Sequence, residues 1–184
     1  MNYREALAQQ IKLKKRQMPT AYSEAAVEAI LSTLADTPKF LSELSLQFNE
    51  ENSHIPLIEG KRSFYATVLH LLHFETIHYT ASYTAKLISQ PSIFSLHPER
   101  NIAQLGLYHN FSLKELLEAF LLERRKYLNF LRALKQKEWA KSMSESGKAR
   151  KETLYLAARR TALHDYAHIQ IICLQTGYKG KNQT

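Results

Sequence analysis

The chain has 184 residues, 45% of them apolar and 23% charged, with a formal net charge of +8. That length and balance suit one soluble domain whose core needs no covalent staple, and a single cysteine, Cys173, excludes an intrachain disulfide. No run approaches the roughly 18 apolar residues of a membrane-spanning helix, and the basic residues are scattered without interleaved aromatics, which argues against nucleic acid as the main partner.

The opening MNYREALAQQIKLKKRQ carries charges with no apolar stretch behind them, so no leader and a cytoplasmic location are expected. Residues 3–17 read as a short polar helix with a thin apolar face (Ala6, Ala8, Ile11 and Leu13), within an N-terminal extension covering 1–20. A first long helical region follows over about 22–49. Ser23 is its candidate cap, and Ala26, Ile30, Leu34, Leu41 and Leu44 recur at helical spacing. Pro38 is expected to kink or divide it, with Thr37 as a second cap.

Residues 53–63 read as a loop, and a second helix spans about 63–87 until Gln90, Pro91 and Ser92 end it. Phe64, Tyr65, Phe74, Tyr79 and Tyr83 crowd this helix from several sides, which predicts a homodimer formed through it. The connection over 92–111 is long for a helical bundle and is a candidate lid or crossover. Ser112 and Glu115 form a capping box at the start of a third helix reaching about 137. After the polar segment 143–152, a fourth helix covers about 151–174, and residues 177–184 are a polar tail. The expected fold is all-α, a four-helix bundle over 21–176 with antiparallel helices and no strands.

In RRTALHDYAHIQIICL, residues 159–174, His164 and His168 are four apart, so on a helix they stand over each other. Two neutral imidazoles on one face can share a metal ion. The second helix carries His70, His73 and His78, and a bundle site is commonly assembled from facing helices. One of these with His164 and His168 makes three nitrogen donors and an open position, an arrangement that suits zinc, nickel or iron. Half-buried histidines satisfied by neighbouring carbonyls are the plain alternative. Lys148, Arg150, Arg159 and Arg160 lie near the start and middle of the fourth helix. They would receive an anionic substrate if they line a cleft mouth, and otherwise form a solvated basic face.

Three segments together, GKRSFYATVLHLLHFE (60–75), SLKELLEAFLLERRKYLNFLRAL (112–134) and WAKSMSESGKARKETLYLAARRTALHDYAHIQII (139–172), resemble the DinB/YfiT family of metal-dependent four-helix-bundle proteins. The resemblance covers about residues 22–175. It implies His70, His164 and His168 as metal ligands, and it departs from the family pattern at Arg62, where the family has Trp. His73 and Glu75 are then candidates for orienting a ligand or accepting a proton, and His73 alternatively for a fourth ligand. The resemblance implies a divalent metal, zinc or nickel, and a small-molecule substrate. It leaves open a thiol-dependent transferase or isomerase using a low-molecular-weight thiol, a metal-dependent hydrolase, and a non-enzymatic stress-related or scaffolding protein.

Overall fold

The computed structural model describes residues 3–93, 101–146 and 151–177. The expected tail, 177–184, lies outside these beyond Gly177, as do Lys148 and Arg150. The helices are α1 (Tyr3–Gln17), α2 (Glu24–Ser45), a single turn α3 (Glu50–Ser53), α4 (Phe64–Leu87), α5 (Leu113–Arg132) and α6 (Leu154–Thr176). Each long helix after α1 starts on a hydroxyl: Ser23, Ser63, Ser112 and Thr153 each accept an N–H from the first turn. At Ser112 the box is reciprocal, because Glu115 accepts the Ser112 N–H in return. Gly177, at φ 69°, ends α6 in the left-handed region.

Pro38 does not divide α2, which runs through it. A helical proline strips the carbonyl four residues back of its usual donor. That carbonyl, Leu34 O, accepts Arg124 Nη1 at 2.8 Å instead. Thr37 is correspondingly no cap, and its hydroxyl donates to Thr33 O at 3.1 Å. A second correction is a three-stranded sheet where no strand was expected: β1 (Ser92–Ile93), β2 (Ser142–Glu145) and β3 (Lys151–Thr153). β1 pairs in parallel with β2, and β2 pairs antiparallel with β3. The sheet takes the start of the segment expected to open the fourth helix. The third helix stops at Arg132, short of 137, and a 3-10 turn (Gln136–Ala140) then buries Trp139.

The four long helices pack as a ring: α2 against α5 and α6, and α4 against the same two. Their directions follow from contacts at the ends. Phe48, just past α2, stacks on Phe64 at the start of α4 (4.4 Å), so α2 and α4 run oppositely. Glu50 accepts Leu113 N at 3.0 Å, which puts the start of α5 at the same end as the start of α4. Tyr155, opening α6, donates to Pro19 O ahead of α2. Neighbours α4–α5 and α2–α6 are therefore parallel, which corrects the uniformly antiparallel expectation. The connection between α4 and α5, of which 94–100 lie outside the described residues, must return the length of the bundle, as the crossover reading expects.

Of the five aromatic side chains behind the expected homodimer, most are absorbed within the chain. Phe64 is core, Tyr65 donates to Phe111 O at 2.6 Å, and Tyr79 meets Tyr127 and Phe130 edge-on. Phe74 packs between two histidines, and Tyr83 is the one left 48% exposed. No helix among the described residues is long and apolar enough to cross a membrane.

Candidate metal centre

The site lies on the seam between α4 and α6. Because these helices run oppositely, residues four apart on each line up as facing rows. His70, Phe74 and His78 of α4 face His168, His164 and Arg160 of α6. At the first step of the seam, one nitrogen from each of His70, His164 and His168 lies within 4.8 Å of the others. The Nε2 atoms of His70 and His164 are 2.9 Å apart. The three rings have centroids 4.6–4.9 Å apart. Phe74 stacks flat on His164 at 3.7 Å and 9°, which holds that ring in plane.

Burial pushes the His70 and His168 pKa values down to about 3, helped by the charge that neighbouring His164 and Arg62 would present to an added proton. At neutral pH both rings are uncharged and each has a nitrogen lone pair to offer, which is the form a metal binds. Three imidazole nitrogens gathered in this way could together hold one divalent ion.

Behind His164 lies a buried ionic group. Arg124 Nε donates to Glu75 Oε1 at 2.6 Å, and its Nη2 donates to Glu75 Oε2 at 2.8 Å and to Asp165 Oδ2 at 2.5 Å. All three side chains are at most 1% exposed. Burial alone would raise Asp165, but Arg124 and His164 more than offset it and hold its carboxyl below the usual range. Burial prevails at Glu75, which is raised despite Arg124. The free oxygen of Asp165, Oδ1, stands 3.7 Å from His164 Nδ1, a buried nitrogen with no hydrogen-bond partner. A carboxylate beside the far nitrogen of a histidine keeps the proton there and turns the other nitrogen outward as a lone pair. The donor set thus fits a divalent ion.

His70, His164 and His168 are accordingly brought together, whereas His73 and Glu75 are not part of that cluster. His73 is 4% exposed and lies beside Tyr108, ring centroids 5.5 Å apart. Glu75 reaches the histidines only through Arg124 and Asp165. Sequence reading passed over Asp165, although a carboxylate directly after His164 in an apolar run was its signal. It also passed over Phe74 as a ring support. Of the basic residues expected at a cleft, Arg159 Nε donates to Met18 O at 2.6 Å, and Arg160 Nη2 bonds Glu152 at 2.5 Å and meets His78 Nδ1 at 3.3 Å.

Among solved structures the chain is similar to YfiT from Bacillus subtilis, described as "a probable metal-dependent hydrolase with an unusual four-helix bundle topology". The TM-score is 0.76 at 16% identity, over 86% of this chain and 91% of that one. The fold is thus the YfiT-like four-helix bundle. No family model matches the chain, and no curated protein matches it in sequence.

Proposed function

We propose that this protein is a metal-dependent hydrolase, with His70, His164 and His168 holding one divalent ion, zinc or nickel. The observation that carries the reading is the convergence of three ring nitrogens within 4.8 Å on the seam of two helices. When bound, such an ion supplies a water-derived nucleophile at neutral pH and polarises a carbonyl. The chain's own residues prepare the place. His70 and His168 stay uncharged because they are buried. Asp165 Oδ1, 3.7 Å from His164 Nδ1, puts negative charge beside that nitrogen and so favours the tautomer whose Nε2 lone pair is open to the ion. Phe74 fixes the ring plane, and Arg124 with Glu75 anchors Asp165. The likeness to YfiT, itself described as a hydrolase, favours hydrolysis over transfer to a thiol, which would use the same three nitrogens.

Metal analysis of untagged protein tests this reading. Wild type should carry about one equivalent of ion per chain, and His164→Ala and His168→Ala should carry none while keeping their helical circular dichroism. Wild type that stays empty after incubation with zinc and with nickel would overturn it.

A further inference from the structure

The α4–α6 seam continues beyond the histidines into a cavity of about 760 Å³, within the range of about 300–1,000 Å³ typical of small-molecule sites. His164 belongs to both: it is one of the three clustered histidines and it lines the cavity. Other parts of the lining come from α1, through Ile11 and Lys15, and from the small sheet, through Ile93 and Met143. The floor is the seam itself. On α6, Leu156, Arg160 and His164 form one row four residues apart, about 6 Å per step along the axis.

The lining is divided by chemistry. Ile77, Ile93, Met143 and Leu156 give an apolar surface. Lys15, Arg159 and Arg160 bring three cations from two helices, against the carboxylates of Glu145 and Glu152. Glu152 is already engaged by Arg160, and Arg159 uses its Nε on a backbone carbonyl, leaving its Nη groups for other partners. An occupant of this space meets an excess of positive charge beside an apolar wall, with a metal-site histidine at one end.

We infer that the cavity is the substrate pocket of the histidine centre. Its ligand is a small monoanionic amphiphile: an acyl compound, such as an N-acylated apolar amino acid, with a carboxylate and one apolar group flanking the bond to be cleaved. The carboxylate meets Lys15 and Arg159, the apolar group lies against Ile77, Ile93 and Leu156, and the acyl bond reaches His164. This rests on the hydrolase reading for the reaction, but not for the binding.

The test separates the two. The full-length protein is titrated calorimetrically with N-acetyl-phenylalanine, with its uncharged carboxamide, and with the cation phenylalaninamide. The carboxylate should bind at least about tenfold more tightly than either other probe. Lys15→Gln, at an exposed position, should erase most of that preference, and Ile77→Trp should block all three probes by filling the space. Neither substitution should alter metal content. The His168→Ala variant decides whether the carboxylate sits in the cavity or on the ion. Retained binding there supports the pocket even if the metal reading fails. Loss of binding in that variant, equal affinity for carboxylate and carboxamide, or undiminished binding by Ile77→Trp would each overturn the proposal.

Discussion

Asp165 concentrates the residue-scale argument. One of its oxygens is held by Arg124, and the other faces a histidine nitrogen that has no other partner. Asp165→Asn keeps the shape and the contact to Arg124 but loses the charge that favours a proton on His164 Nδ1. Zinc affinity, measured by competition with a chromogenic chelator, should fall by about 10–100-fold with helicity unchanged. An unaltered affinity would show that the carboxylate only anchors Arg124. The neighbouring rings make a second prediction, for metal-stripped protein. His70 and His168 are depressed from 6.5 to about 3 by burial and neighbouring charge. The unfolded chain therefore takes up protons below about 6.5 that the native chain refuses until about 3. Their contribution to stability is complete above that window and is lost as the pH falls through it. Urea midpoints at pH 7.5, 6 and 5 should decline, and His168→Gln should make the decline shallower. Equal slopes in the two proteins would refute the assignment. Helical spacing alone aligns His164 with His168, whereas His70 was singled out from His73 and His78 only by the family resemblance. Asp165 carried only the weak signal of an acid within an apolar run, and its role comes from the fold, which turns it inward against Arg124.

At the scale of the element, α2 depends on a residue far away in sequence. Pro38 leaves Leu34 O without a helical donor, and Arg124, 90 positions on, supplies one. Arg124→Met would orphan that carbonyl and leave two buried carboxylates unpaired, so a loss of about 3–5 kcal/mol is expected. Restoring the helical donor with Pro38→Ala should recover about 1 kcal/mol more in the Arg124→Met background than in the unaltered protein. A urea-denaturation double-mutant cycle measures that difference, and a coupling of zero would break the link. The same pair explains why Pro38 misled a reading of local signals: its compensation arrives from α5. The serine and threonine caps, by contrast, act within three residues and were legible at Ser23 and Ser112. The sheet was not legible, because strands of two to four residues are too short to show alternation, and their pairing joins segments on either side of α5.

At the scale of the whole molecule, the ring of helices accounts for the core, while the cavity depends on how α1 is fastened. A polar helix of 15 residues is marginal alone, so α1 persists through what it touches. The segment after it provides the fastening: Met18 is fully buried, Met18 O accepts Arg159 Nε, and Tyr155 Oη donates to Pro19 O at 2.5 Å and lies 3.1 Å from Ala21 O. Lys14 of α1 also stands over the Tyr166 ring of α6 at 5.3 Å. Tyr155→Phe removes only the hydroxyl, so the core packing of its ring remains while the link to the segment weakens. Global stability should drop by about 1 kcal/mol. The larger consequence should be local, because an element held by few contacts opens without unfolding the rest. Amide hydrogen exchange in residues 3–17 should accelerate severalfold beyond the change in α5. N-acetyl-phenylalanine should bind more weakly, since α1 carries Ile11 and Lys15 of the cavity wall. If α1 and α5 amides accelerate by the same factor, α1 opens only with the whole bundle, and the fastening lies in Met18 and the helix face rather than in the Tyr155 hydroxyl.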